Sequence, residues 1–67
     1  MRFEVKSFGP KTTIEICSII DFFNNRIIED SIGGQDDEFH SRFVVDGDDK
    51  SLSVFLSSES ISVSLLD

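Results

Sequence analysis

The sequence predicts an α+β fold, with one helix packed on a mostly antiparallel sheet of four to five strands. Three observations predict it. Residues 51–66 alternate with period 2, apolar residues falling at Leu52, Val54, Leu56, then Ile61, Val63 and Leu65, with serines filling most places between. Phe3 and Val5 alternate in the same way with Arg2, Glu4 and Lys6. Ile20, Phe23 and Ile27 recur at helical spacing ahead of Gly33-Gly34.

Residues 2–7 read as the first strand, and Phe8-Gly9-Pro10-Lys11 as a turn. Residues 12–17 have two readings. Thr12-Thr13-Ile14-Glu15 matches a capping box, which starts a helix. Thr12, Thr13, Ile14 and Ile16 are β-branched, and Ile14 lies off the Ile16, Ile20, Phe23 face, which favours a second strand. The strand is the preferred reading. The helix is expected over about 19–31, with Gly33-Gly34 as its stop. A strand follows at 39–45, with Phe39, Phe43 and Val45 on one face and His40, Arg42 and Val44 on the other. Asp46-Gly47-Asp48-Asp49-Lys50 reads as a hairpin turn, and strands 51–57 and 61–66 complete a meander. The order is ββαβββ, or βαβββ if residues 12–17 are helical. Phe23, Phe43, Val54 and Val63 are the expected core.

The 67 residues are expected to form a single domain, 1–67, with a small core and no disulfide, since Cys17 is the one cysteine. A free thiol, the absence of a secretory h-region after Met1 and the absence of a long apolar run point to a cytoplasmic protein off the membrane. The net charge of −7 disfavours direct nucleic-acid or anionic-membrane binding.

Motifs for chemistry are missing. Asp46-Gly47-Asp48-Asp49 places Lys50 and Ser51 where a calcium loop needs an oxygen ligand and glycine, so no metal is expected. Gly33-Gly34 belongs to no Walker or dinucleotide motif, so no cofactor is expected. His40 and Cys17 lack any spacing that marks a nucleophile pair, and no Gly-x-Ser-x-Gly elbow occurs. The chain is expected not to be an enzyme.

Two surfaces are candidates for a partner. The first is acidic: Glu29, Asp30, Asp36, Asp37, Glu38, Asp46, Asp48 and Asp49 face only Arg42 within residues 29–49. Glu29 and Asp30 are expected in the last helical turn, where the macrodipole opposes them. The second is the open sheet face, where the expected pairing sets Arg42 beside Phe55 as a cation–π pair, Phe55 beside Ser62, and Leu66 near the edge. These point to a small acidic protein-binding module: a stoichiometric inhibitor or antagonist, of the phage or immunity type, that occludes a basic protein, nucleic-acid-handling proteins included. The alternative is a homo-oligomerising accessory subunit, a homodimer for example, that uses the last strand's edge or the Ser-rich sheet face.

Overall fold

The computed structural model describes residues 1–32 and 39–66. In chain order these form β1 (Arg2–Ser7), α1 (Pro10–Phe23), β2 (Arg26–Ile32), β3 (Ser41–Asp46), α2 (Asp49–Leu56) and β4 (Ile61–Leu65). The fold is α+β, with a four-stranded sheet in the order β2-β3-β1-β4 whose neighbours are all antiparallel. The β-α-β-β-α-β order with β3 set between β1 and β2 is the split β-α-β, or ferredoxin-like, arrangement. It differs from both expected orders, ββαβββ and βαβββ, because two segments that read as strands are helices and half of the expected helix is a strand.

Residues 12–17 belong to α1. Pro10 occupies the first turn behind the extended Gly9, where a missing N–H costs nothing and φ is already helical. Thr13, Ile16 and Ile20 then bury one face, which outweighs the β-branched propensity. The helix ends at Phe23, well short of Gly33. Asn24 takes the left-handed conformation (φ 53°) that an Asn tolerates, and its N–H bonds back to Asp21 and Ile20. The chain is then free to run extended as β2 through Ile27 and Ile28.

The second corrected segment is 51–57. Asp48 caps α2: its carboxylate accepts from the Ser51 N–H at 3.0 Å while the Ser51 hydroxyl accepts from the Asp48 N–H at 3.2 Å. Ser51 and Phe55 face inward and Leu52 is half-buried, a helical stripe that coexists with the period-2 pattern of Leu52, Val54 and Leu56. Gly47 is required beside this cap. A Cβ there would lie 2.6 Å from Ser51 Oγ, 2.9 Å from Asn25 Nδ2 and 3.1 Å from the Phe3 ring.

The core is Phe3, Val5, Ile16, Ile20, Phe43, Val45, Phe55 and Ile61, with Ile19, Leu52 and Val63 packed against it. Phe55 is 0% exposed and meets Phe3 edge-on, the ring centroids 5.6 Å apart. Of the expected core residues, Phe43 is buried, Phe23 and Val63 are half-buried, and Val54 is exposed because α2 turns Phe55 inward in its place.

Candidate functional site

Two helices cover one face of the sheet, and their outer surface carries the most exposed large apolar side chain among the described residues. Phe22 is 82% exposed and packs edge-on against Phe23, the centroids 4.9 Å apart. Both rings line an open groove of about 450 Å³ together with Ile19, Val54, Ser18 and Glu15. Its geometry follows from the helical periods. Ile16 and Ile20 point into the core, so Ile19 and Phe23 fall on the flank and Phe22 beyond it. Val54 faces the same groove from α2, one residue before the buried Phe55. The floor and walls are apolar and aromatic, and the Glu15 carboxylate at the rim is the one charge in the lining. In the sequence Phe22 lies beside the Ile20, Phe23 and Ile27 stripe rather than on it. Val54 reached the groove because its segment is helical.

The open sheet face is built differently from the expectation. Lys6 pairs with Arg42 on one side and Ser62 on the other, so Lys6 holds the place assigned to Phe55, which lies on the opposite face and inside. Arg42 reaches Glu4 and, at 3.2 Å, Glu29; Lys6 reaches Glu4 at 3.5 Å. The two carboxylates hold the Arg42 guanidinium above its ordinary pKa, the Glu4 hydrogen bond contributing most. The cation–π contact on this face is Lys6 over Phe39, at 5.1 Å, rather than Arg42 over Phe55. Leu66 continues the β1 register and is exposed. On this face Lys6 and Arg42 are both matched to carboxylates.

The acidic residues are dispersed. Glu29 and Asp30 lie on β2, not in a helical turn, so the argument from an opposing macrodipole does not apply to them. Glu29 is paired with Arg42. Asp46 ends β3 and binds the amino terminus of Met1 at 3.2 Å. Asp48 is the α2 cap, and hydrogen bonds led by the Ser51 backbone N–H hold its carboxyl below the ordinary carboxylate value. Asp49 sits in the first turn of α2, where the helix dipole favours it. Asp36, Asp37 and Glu38 lie outside the described residues, as does the Gly33-Gly34 pair. Several of these charges therefore have local structural roles.

One polar cluster was not legible. Ser7, Thr13 and Ser41 place their hydroxyls 2.6 Å from one another in a buried triangle that ties β1, α1 and β3 together. The three hydroxyls hold three protons to donate, and Gly9 O is a further acceptor, 3.3 Å from Ser7 Oγ and 3.2 Å from Thr13 Oγ1. His40 closes the cluster, its Nδ1 3.0 Å from Thr13 Oγ1 and its N–H bonded to Ser7 O. Cys17 is exposed on α1, and the His40 ring is engaged by Thr13. Ser7 and Ser41 face each other across the β1–β3 register, 34 residues apart in the chain, a relation that no local pattern announces.

Among the described residues no helix is long and apolar enough to cross a membrane, and no group of three or more His, Cys, Asp or Glu side chains is placed to hold a metal ion. No protein-family model, curated protein or solved structure matches the chain.

Proposed function

We propose that this chain is a small protein-binding module that occludes a basic partner stoichiometrically, in the manner of an intracellular inhibitor or immunity-type antagonist. The observation that carries the reading is Phe22, 82% exposed and braced against Phe23 beside an apolar groove. A solvated aromatic held in place by a second ring loses little side-chain entropy on binding, and such anchors supply most of the energy in protein interfaces. The net charge of −7 selects the partner's sign and steers its approach. The segment that fits is cationic and presents an apolar side chain to the groove, its positive groups meeting Glu15 at the rim.

The experiment separates anchor from charge. An immobilised amphipathic peptide of Lys and Leu serves as the partner's chemistry, with a Glu-for-Lys analogue as control. Phe22→Ser should speed dissociation with little change in association. Replacing Asp36, Asp37 and Glu38 by their amides should slow association and flatten its salt dependence. If Phe22→Ser binds the Lys peptide as the wild type does, or if the acidic analogue binds equally well, the reading is wrong. A second reading, a self-associating accessory subunit, has one observation in its favour: β4 lies at an edge of the sheet and carries no charge.

A further inference from the structure

The sheet has two edges, β2 and β4, and they are unlike. Strand β2 carries Arg26, Glu29 and Asp30, and its register with β3 shifts between Ile27 and Glu29. Charges and bulges are the devices by which edge strands resist pairing. Strand β4, Ile61-Ser62-Val63-Ser64-Leu65, has no charge and no proline, and its register with β1 runs unbroken.

One hydrogen bond orients the β4 backbone. The Leu66 N–H donates to Arg2 O at 3.0 Å, which makes Arg2 and Leu66 a hydrogen-bonded pair. Antiparallel ladders alternate bonded and non-bonded pairs. Glu4/Ser64 and Lys6/Ser62 are therefore bonded, and Phe3/Leu65, Val5/Val63 and Ser7/Ile61 are not. The N–H and C=O groups of Ile61, Val63 and Leu65 consequently point away from β1, along the free edge.

We propose that β4 joins two copies of this chain antiparallel about a two-fold axis at Val63, making one continuous sheet across both. The proposal rests on the self-association reading and specifies its geometry. In this register Val63 faces Val63 of the second copy, and Ile61 faces Leu65 in both directions. These are the residues whose backbone groups are free, so every pair on the axis exchanges both of its hydrogen bonds. Side chains agree with the backbone. Ile61, Val63 and Leu65 share the helix-covered face, so apolar meets apolar there, while Ser62 meets Ser64 on the open face. Read outward from Val63, the strand is the same in both directions: serine, then a branched aliphatic residue.

Helix α2 extends the strip. Val54 faces the groove shared with α1, and Leu56, two residues on, lies about 200° around the helix, on the flank away from α1. Leu56 is 62% exposed and Leu65 59% exposed, and α2 packs on β4. Both leucines lose water when a second copy arrives. Two chains of net charge −7 repel, and β4 is a strand on which neither presents a carboxylate. The contact is short, so its dissociation constant is on the order of 0.1 mM, at the weak end of specific interfaces.

Two measurements test it on the full chain. Sedimentation equilibrium from 10 µM to 1 mM should pass from monomer to dimer. Amide hydrogen exchange, read residue by residue, should show Ser62 and Ser64 protected at both ends of that range. Ile61, Val63 and Leu65 should gain roughly fourfold protection, and only at the high end, where about four-fifths of the chains are paired at that dissociation constant. Leu65→Lys, at an exposed position, should stay monomeric at 1 mM, whereas Ile14→Lys on α1 should dimerise as the wild type does. A monomer at 1 mM overturns both the proposal and the self-association reading. A dimer whose Ile61, Val63 and Leu65 amides exchange as fast as in the monomer overturns the proposal and leaves that reading standing.

Discussion

Truncating Phe55 to Ala tests the placement of α2 more sharply than any other single change. In the structure the ring is wholly buried in the core and packs edge-on against Phe3 at 5.6 Å. A Phe→Ala change in a core costs about 3–5 kcal/mol, and the lost edge-to-face pair accounts for roughly 0.5–1.5 kcal/mol within or beyond that. At about 0.05–0.15 kcal/mol per residue, a chain this short has a total stability of roughly 3–10 kcal/mol. The substitution therefore removes from about a third to all of what holds the domain together. Tryptophan and tyrosine are absent, so urea unfolding followed by far-ultraviolet circular dichroism is the suitable assay. The expected result is a midpoint lowered by at least about a third, or a chain unfolded without denaturant. If Phe55 lay on an open strand face, the loss would be no more than about 0.5 kcal/mol. A cooperative transition within that margin of the wild type would refute the helical placement of residues 49–56.

Three further outcomes follow from local contacts. Thr13→Val keeps the shape of the side chain but removes the hydroxyl that bonds Ser7, Ser41 and His40, and should cost about 1–3 kcal/mol in the same assay. Gly47→Ala drives a methyl against Ser51 Oγ and the Phe3 ring, and should cost about 1–3 kcal/mol, which a neutral result would contradict. Asp48→Ala removes the α2 cap. The Asp48 carboxyl titrates lower in the folded chain than in the unfolded one, so its contribution is full above the ordinary carboxylate range and fades as pH falls through the folded value. The gap between wild-type and Asp48→Ala midpoints should be constant from pH 7 to 5 and narrow below about pH 4; a gap that widens there would contradict the assigned cap.

The strands that carry the core were legible. Phe3 and Val5, and Ile61 and Val63, alternate with polar neighbours as a period of 2 requires, whereas Phe43 and Val45 share the core face across Val44, which is itself buried. The helices were harder to read, for separate physical reasons. In α1 the β-branched residues argued for strand, yet Thr13, Ile16 and Ile20 gain more from burial on one helical face than their rotamers lose. Gly9-Pro10 looked like a turn, and it is a helix start. Asn24, the real stop, is a weaker signal than Gly33-Gly34 because only its left-handed backbone distinguishes it. In α2 the cap is Asp48 with Ser51, which departs from the usual Glu or Gln at the third position, and the alternating Leu52, Val54 and Leu56 imitated a strand. The error in α2 carried directly into the candidate site. It put Phe55 on the surface and hid Val54 in the core, so the groove beside Phe22 could not be assembled from the sequence.

The central claim is that the Phe22 groove is the contact surface for a cationic partner. Its most direct test is a titration of the isotope-labelled chain with the Lys- and Leu-containing amphipathic peptide, followed by amide chemical shifts. The account predicts that the perturbed residues cluster at Glu15, Ser18, Ile19, Phe22, Phe23 and Val54, and that the cluster vanishes in Phe22→Ser while the fold persists. Perturbations confined to Glu4, Glu29 and Arg42 on the open sheet face, or to Asp46, Asp48 and Asp49, would contradict it.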